Sequence, residues 1–154
     1  MFDIQQRDVP EQLVLTEQRN VKAGDLPDWI RGAMGRLGKT AANYGGVTGP
    51  LFVVYHGRMS EDTEVLAEVC APIAAKNLDS DAPTRREPAH RELYTRLKKS
   101  QVVFPEIQSA FMAVGKQVQS QGLRQTADPR EVYFTDFFAA KPSDEVVDVA
   151  FPIQ

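Results

Sequence analysis

The stretch REVYFTDF, residues 130–137, decides how this chain is read. Val132, Tyr133, Phe134 and Thr135 favour a strand, and the turn-rich QTADP precedes them. Glu131 stands inside that run. A carboxylate is disfavoured in a strand and costly when buried without a partner. Strand alternation puts Glu131 on one face with Tyr133 and turns Val132 and Phe134 to the other.

Working outward, EVVDVAFPI (145–153) reads as the next strand and FPEIQSAFMAVGKQVQSQ (104–121) as a preceding helix, with Gly122 as its C-terminal cap. HRELYTRL (90–97) reads as a strand before that helix. The polar, turn-rich AKNLDSDAPT (75–84) reads as a linker. Ahead of the linker the same order occurs. QLVLTEQRNV (12–21) is a strand with Leu13 and Leu15 on one face, and DIQQRDV (3–9) is a loosely alternating strand that Pro10 ends. Residues 26–43 carry Leu26, Ile30, Ala33, Leu37 and Ala41 at helical spacing, with Asp25 as N-cap and Pro27 in the first turn. The glycines of that helix weaken it, which predicts close packing against them. LFVVYHG (51–57) and TEVLAEVCAPI (63–73) are strands.

The repeated order predicts a duplication. Shifted by 78 residues, Pro10 falls on Pro88, Leu15 on Leu93, Pro27 on Pro105, Met34 on Met112, Thr48 on Thr126, Val54 on Val132 and Tyr55 on Tyr133. Shifted by 80, AEVCAPI (67–73) falls on VDVAFPI (147–153), so the two extra residues lie in the hairpin loop of the second copy. The expected fold is α+β: a duplicated strand–helix–strand–strand unit forming pseudo-two-fold antiparallel sheets with two main helices. One domain spans 1–154, with the first copy over 1–74, a linker over 75–84 and the second copy over 85–154. Glu131 aligns with Val53, so one copy breaks the symmetry with a charge.

Composition narrows the classes. The chain has 154 residues, 42% hydrophobic and 25% charged, which suits one ordinary globular core. A net charge of −3 argues against direct nucleic-acid binding and favours cationic ligands at long range. No apolar run is long enough for a membrane helix, and MFDIQQRDVP lacks the apolar centre of a signal peptide, so a cytoplasmic protein with no membrane contact is expected. Cys70 is the only cysteine and aligns with Ala150, which marks it as a small core residue. His56 and His90 are isolated, so no metal site is expected, and no cofactor fingerprint is present. The basic stretch RREPAHRELYTRLKK reads as a solvated strand and loop, with a weak contact to an acidic partner as the other reading.

The order and spacing of several short motifs resemble a GyrI-like small-molecule-binding domain, the effector-binding module of AraC-type and MerR-type multidrug regulators. REVYFTD followed by VVDVAFPI resembles the ending of that family, GPLFVVYHG its central strand, and FDIQQRDVPEQLVLTEQRNV its two-strand entry. The resemblance spans the chain. In KKSQVVF, Phe104 stands where the family commonly has Tyr, which puts one pocket hydroxyl in doubt. The duplicated unit fills the length and leaves no helix-turn-helix, so a stand-alone form is expected.

The resemblance implies a central groove in which a buried Glu pairs with amphipathic, cationic aromatic compounds. Glu131 would be the counter-ion, with Tyr133, Tyr55, Trp29, Phe104, Phe111 and Tyr94 as candidate wall. It also implies an alternative: hydrolysis of reactive cyclopropane-type electrophiles, with Glu131 assisting water and Tyr133 orienting the substrate. A third reading is protein-directed, as a gyrase modulator or the partner of a regulator. Each residue also has a plain structural reading. Glu131 could face solvent on its strand, the tyrosines could be sheet residues, and aromatic residues at helical spacing are more often core.

Overall fold

The computed structural model describes residues 2–57, 64–74, 78–79 and 81–154. Among these, the order is β1 (Ile4–Val9), β2 (Gln12–Lys22), α1 (Leu26–Ala42), β3 (Leu51–His56), β4 (Glu64–Ile73), β5 (Thr84–Glu87), β6 (His90–Lys98), α2 (Glu106–Ser120), β7 (Arg130–Tyr133) and β8 (Glu145–Ile153). The fold is α+β, and every strand pairing described is antiparallel.

The chain divides into two compact units. Glu11–Pro88 forms one, here the α1 unit, and the chain up to Pro10 joins Ala89–Gln154 in the other, the α2 unit. In the α1 unit the strand order is β3-β4-β2-β5, and in the α2 unit it is β1-β6-β8-β7. Each unit therefore holds one strand–helix–strand–strand copy, β2-α1-β3-β4 or β6-α2-β7-β8, as the repeat predicts. Each also takes as its edge the strand that precedes the other copy: β5 pairs with β2, and β1 with β6. Sequence reading missed β5, whose first residue Thr84 closes the stretch read as linker.

Register bears out the repeat at its decisive position. Val53 lies opposite Val69 and Tyr55 opposite Ala67; in the other copy Glu131 lies opposite Val149 and Tyr133 opposite Val147. One face of each sheet is covered by the helix of its own unit. In the α1 unit, α1 packs on β2 and β4 through Leu26, Trp29, Ile30, Ala33, Leu37 and Ala41. In the α2 unit, Ile107, Ala110, Val114 and Val118 of α2 meet Leu93, Leu97, Val147, Val149 and Phe151. Burying a large apolar side chain of this kind contributes about 1.5–3 kcal/mol, which outweighs the weak propensity of the glycines in α1.

Three local expectations need correction. Asp25 sits at the N-cap position of α1, but its side chain makes no capping bond, because a short 3-10 turn over Ala23–Asp25 already leads into the helix. The α1 glycines do not mark close packing: a Cβ would meet nothing within 4 Å at Gly35 or Gly38, and only the flexible Arg36 guanidinium at Gly32. The close approach occurs instead at Gly115 of α2, where a Cβ would lie 3.2 Å from the Phe151 ring. Finally, α2 begins at Glu106, so Phe104 precedes the helix. Gly122 does end it as expected, with φ +66°, and the Leu123 N–H donates to the Val118 carbonyl at 3.0 Å.

Candidate functional site

Strand β7 is only four residues long, Arg130–Tyr133, and it places Glu131 and Tyr133 on the face that α2 covers. Glu131 is 4% exposed. Val149 lies directly opposite it, with the buried Thr95 beyond, and Val147 and Leu97 form the next row of that face, so hydrogen bonds from the protein must replace the water that burial removes. The Tyr133 O–H donates to Glu131 Oε1 at 2.8 Å. A hydrogen bond to a charged group contributes about 1.5–3 kcal/mol, enough to offset part of the desolvation. Burial, and then the Glu131 charge and the hydrogen bond to it, push the Tyr133 phenol well above its ordinary range. The phenol thus stays protonated and remains a donor at any physiological pH.

An aromatic series runs outward from this pair. The Phe137 ring meets the Tyr133 ring edge-on at 5.8 Å and 77°, and Phe138 meets Phe137 at 5.3 Å and 84°. Phe138 is 40% exposed, so the series reaches solvent. Both Phe residues belong to the β7–β8 connection, where Asp136 Oδ1 accepts the Phe138 N–H at 3.1 Å. Lys99 Nζ lies 5.1 Å from the Phe137 ring centroid. Sequence reading missed Phe137. The doubled Phe after a turn-forming Asp in FTDFF was the available signal, but loop position gives no periodicity from which to infer burial.

The other sequence candidates are distributed unevenly. Phe111 lies on α2 with its ring 6.3 Å from Phe151, in the same apolar cluster that Tyr133 joins. Phe104 is 45% exposed. Tyr94 points to the opposite face of the sheet, where its ring lies 3.9 Å from the Arg7 guanidinium and its O–H donates to Gln5 Oε1 at 3.2 Å. Trp29 and Tyr55 belong to the α1 unit, both buried against its helix-covered face. Trp29 also lines an open pocket of about 510 Å³ with Arg19, Lys22, Asp25, Asp28 and Glu64. The structure thus brings Glu131, Tyr133 and Phe137 into one series, and sets Tyr94 on the other side of the sheet.

That other face carries what sequence reading took for solvated charge. In the α2 unit, Asp148 is fully buried and accepts from Arg7 at 2.7 Å and Arg96 at 2.8 Å. Glu92 accepts from Arg7 at 2.9 Å and lies 2.8 Å from His90 Nε2. In the α1 unit, Glu68 accepts from Arg85 at 2.7 Å and lies 3.0 Å from His56 Nε2. The histidines are therefore isolated in sequence but each lies against a buried carboxylate. Cys70 is buried, as expected, with Arg85 at 3.5 Å from its sulfur. Burial alone would raise the Glu68 and Glu92 carboxyls. Arg85 and His56 in one case, and His90 and Arg7 in the other, outweigh it and hold both below the usual range. Arg85, desolvated but bonded to Glu68, and Arg7, desolvated but bonded to Asp148 and Glu92, are held above theirs.

The repeat contains a signal for this network. Arg7 and Arg85 are 78 residues apart, and Glu68 and Asp148 are 80 apart, the same two offsets that align the copies. Each exchanged edge strand thus carries an Arg bonded to the acid of a central strand. Among the described residues, no group of three or more His, Cys, Asp and Glu is placed to hold a metal ion. No helix among them is long and apolar enough to cross a membrane.

No protein-family model matches the chain. No curated protein matches it either. Solved structures do. The C-terminal domain of EcmrR superposes with a TM-score of 0.78 at 17% identity, covering 100% of this chain and 98% of that one. Against the EcmrR chain of an EcmrR–DNA complex the likeness covers 57% of that chain. A hydrolase from Listeria innocua gives a TM-score of 0.64 at 14% identity, covering 98% of this chain and 91% of that one. SAV2435, solved bound to tetraphenylphosphonium, gives 0.62 at 12% identity, covering 99% and 94%. At these identities the likeness is one of fold. The chain has the α+β fold of the EcmrR C-terminal domain and of SAV2435, consistent with the GyrI-like domain that its sequence resembles.

Proposed function

We propose that this chain is a small-molecule-binding domain of the effector-sensing, multidrug-recognising kind associated with transcription regulation, and that it takes amphipathic aromatic cations at Glu131. The observation that carries this reading is a carboxylate 4% exposed on a mainly apolar face, backed by a neutral tyrosine donor. A desolvated acid on such a face attracts a cation that brings its own apolar surface. Aromatic rings at Tyr133 and Phe137 add stacking and cation–π attraction. The presence of tetraphenylphosphonium on SAV2435, which shares the fold, supports the ligand class.

Thermal denaturation against tetraphenylphosphonium and the neutral triphenylphosphine oxide tests it. A ligand that binds only the native state at about a hundred times its Kd adds about 2.7 kcal/mol. The cation should raise Tm in wild type and the neutral compound much less. Glu131→Gln should weaken cation binding about tenfold or more, since it removes one member of a desolvated charge pair. Equal shifts for both compounds, or an unaffected Glu131→Gln, would sink the counter-ion role.

A second reading, hydrolysis of a strained electrophile, also has an observation in its favour. Tyr133 holds Glu131 as a fixed neutral donor would hold a general base, and a Listeria innocua protein of this fold is described as a hydrolase. In that case Glu131 takes a proton from water as the oxygen bonds to a ring carbon, and the electron pair of the broken ring bond passes into the carbonyl conjugated to the ring, which is then protonated. Product formation from a cyclopropane-bearing compound, abolished in Glu131→Gln while binding persists, would favour the enzyme over the sensor.

A further inference from the structure

We propose that Lys99 is a resident cation that holds the Phe137 wall of the Glu131 site closed, so that lipophilic cations bind in competition with it. The inference rests on the binding reading above. Four side chains form one connected series. Lys99 Nζ lies 5.1 Å from the Phe137 centroid, Phe137 packs edge-on against Tyr133, and Tyr133 donates to Glu131. The same Lys99 ammonium donates to the Ala140 carbonyl at 3.0 Å, and its backbone N–H donates to the Asp144 carbonyl at 2.9 Å. Ser100 N–H donates to the Pro142 carbonyl at 2.9 Å. One short segment after β6 therefore holds the β7–β8 connection at Ala140, Pro142 and Asp144, beside the Phe137 ring that packs on Tyr133.

A ring face that holds one ammonium is not open to a second cation. The chemistry of exchange then selects the ligand. A lysine head released from Phe137 regains strong hydration, while a lipophilic onium ion leaves water that solvates it poorly. Exchange favours large, weakly hydrated cations and rejects small, hydrophilic ones. The fraction of molecules with Lys99 already released scales the apparent affinity.

Isothermal titration with tetraphenylphosphonium of wild type, Lys99→Gln, Lys141→Gln and Glu131→Gln tests this. Lys141 is exposed on the same connection, so its substitution removes an equal charge without touching Phe137. Lys99→Gln should bind about two- to fivefold more tightly, the scale of one exposed cation–π contact, and Lys141→Gln should not. In the ligand-free protein, hydrogen exchange at Phe138–Ala140 should accelerate in Lys99→Gln. Binding lost in Glu131→Gln but no tighter in Lys99→Gln than in Lys141→Gln overturns this inference alone. Tighter binding in Lys99→Gln with an unaffected Glu131→Gln overturns the counter-ion role and leaves the Phe137 seat standing. No binding by wild type or Lys99→Gln overturns both.

Discussion

Val53 and Glu131 occupy the same place in two copies of one scaffold. Each sits on the short strand at the end of its unit's order, opposite a valine, two residues before a tyrosine, on the face its helix covers. In the α1 unit Val53 is fully buried and Tyr55 is 5% exposed, and both serve as core. In the α2 unit the equivalent pair is an acid and the tyrosine that donates to it. A second feature runs the other way. The Arg85–Glu68 and Arg7–Asp148 bonds are present in both units at equivalent positions. What both copies keep holds an edge strand in place; the Glu131–Tyr133 bond belongs to one copy alone, and it is the acid on which the proposed binding reading rests.

The comparison can be broken most directly by making the copies alike. Val53→Glu should cost about 3–5 kcal/mol in urea unfolding, the scale of an uncompensated buried charge. Tyr55 already stands where Tyr133 stands. A cost under about 1 kcal/mol would show that the α1 unit can house the acid as well, and the distinction between the copies would fall.

The shared arginine bonds should give matched effects. Asp148→Asn and Glu68→Gln each remove the charge that a partly exposed Arg bonds, and each should cost about 1–3 kcal/mol by equilibrium denaturation. A large loss in one unit and none in the other would contradict their equivalence.

Acid should probe the same network without mutation. The Glu68 and Glu92 carboxyls are held below their ordinary value, so the unfolded chain binds protons more readily than the native one. Their stabilisation is complete above the unfolded value, about 4.5, and is lost as pH falls through the lower folded value. The urea midpoint should therefore decline below about pH 4.5, and Glu92→Gln should flatten that decline.

The smallest effect concerns α1. Gly35 has open space where a Cβ would stand, so Gly35→Ala should stabilise by about 0.5–1 kcal/mol in thermal unfolding. Gly115→Ala in α2 should gain less than Gly35→Ala, because its Cβ would lie 3.2 Å from the Phe151 ring, which must shift to admit it.

Much of the scaffold was legible because its signals are periodic. Leu26, Ile30, Ala33, Leu37 and Ala41 repeat at helical spacing and are all buried on α1. The duplication was legible because equivalent strands keep their offsets. β5 was not: Thr84–Glu87 reads TRRE, poor in strand formers, and it is a strand because β2 supplies its hydrogen bonds and Glu68 receives Arg85. His56 and His90 read as isolated in sequence because their partners lie on the same sheet face rather than at metal-ligand spacing. The charged run around residue 90 reads as solvated because charge in sequence carries no sign of burial.

The sequence by itself determined the alternation, the helical faces, the two copies and the charge that distinguishes them, since each is a pattern of neighbours a few residues apart or a repeat of one. Tertiary structure alone decided which unit each edge strand joins, that Glu131 is buried beside a donor, and that Phe137 and Lys99 lie in series with that donor. Those facts depend on strand register and on loops folding back across distant residues. Such contacts are selected by the packing and hydrogen bonding of the whole unit, which no local pattern encodes.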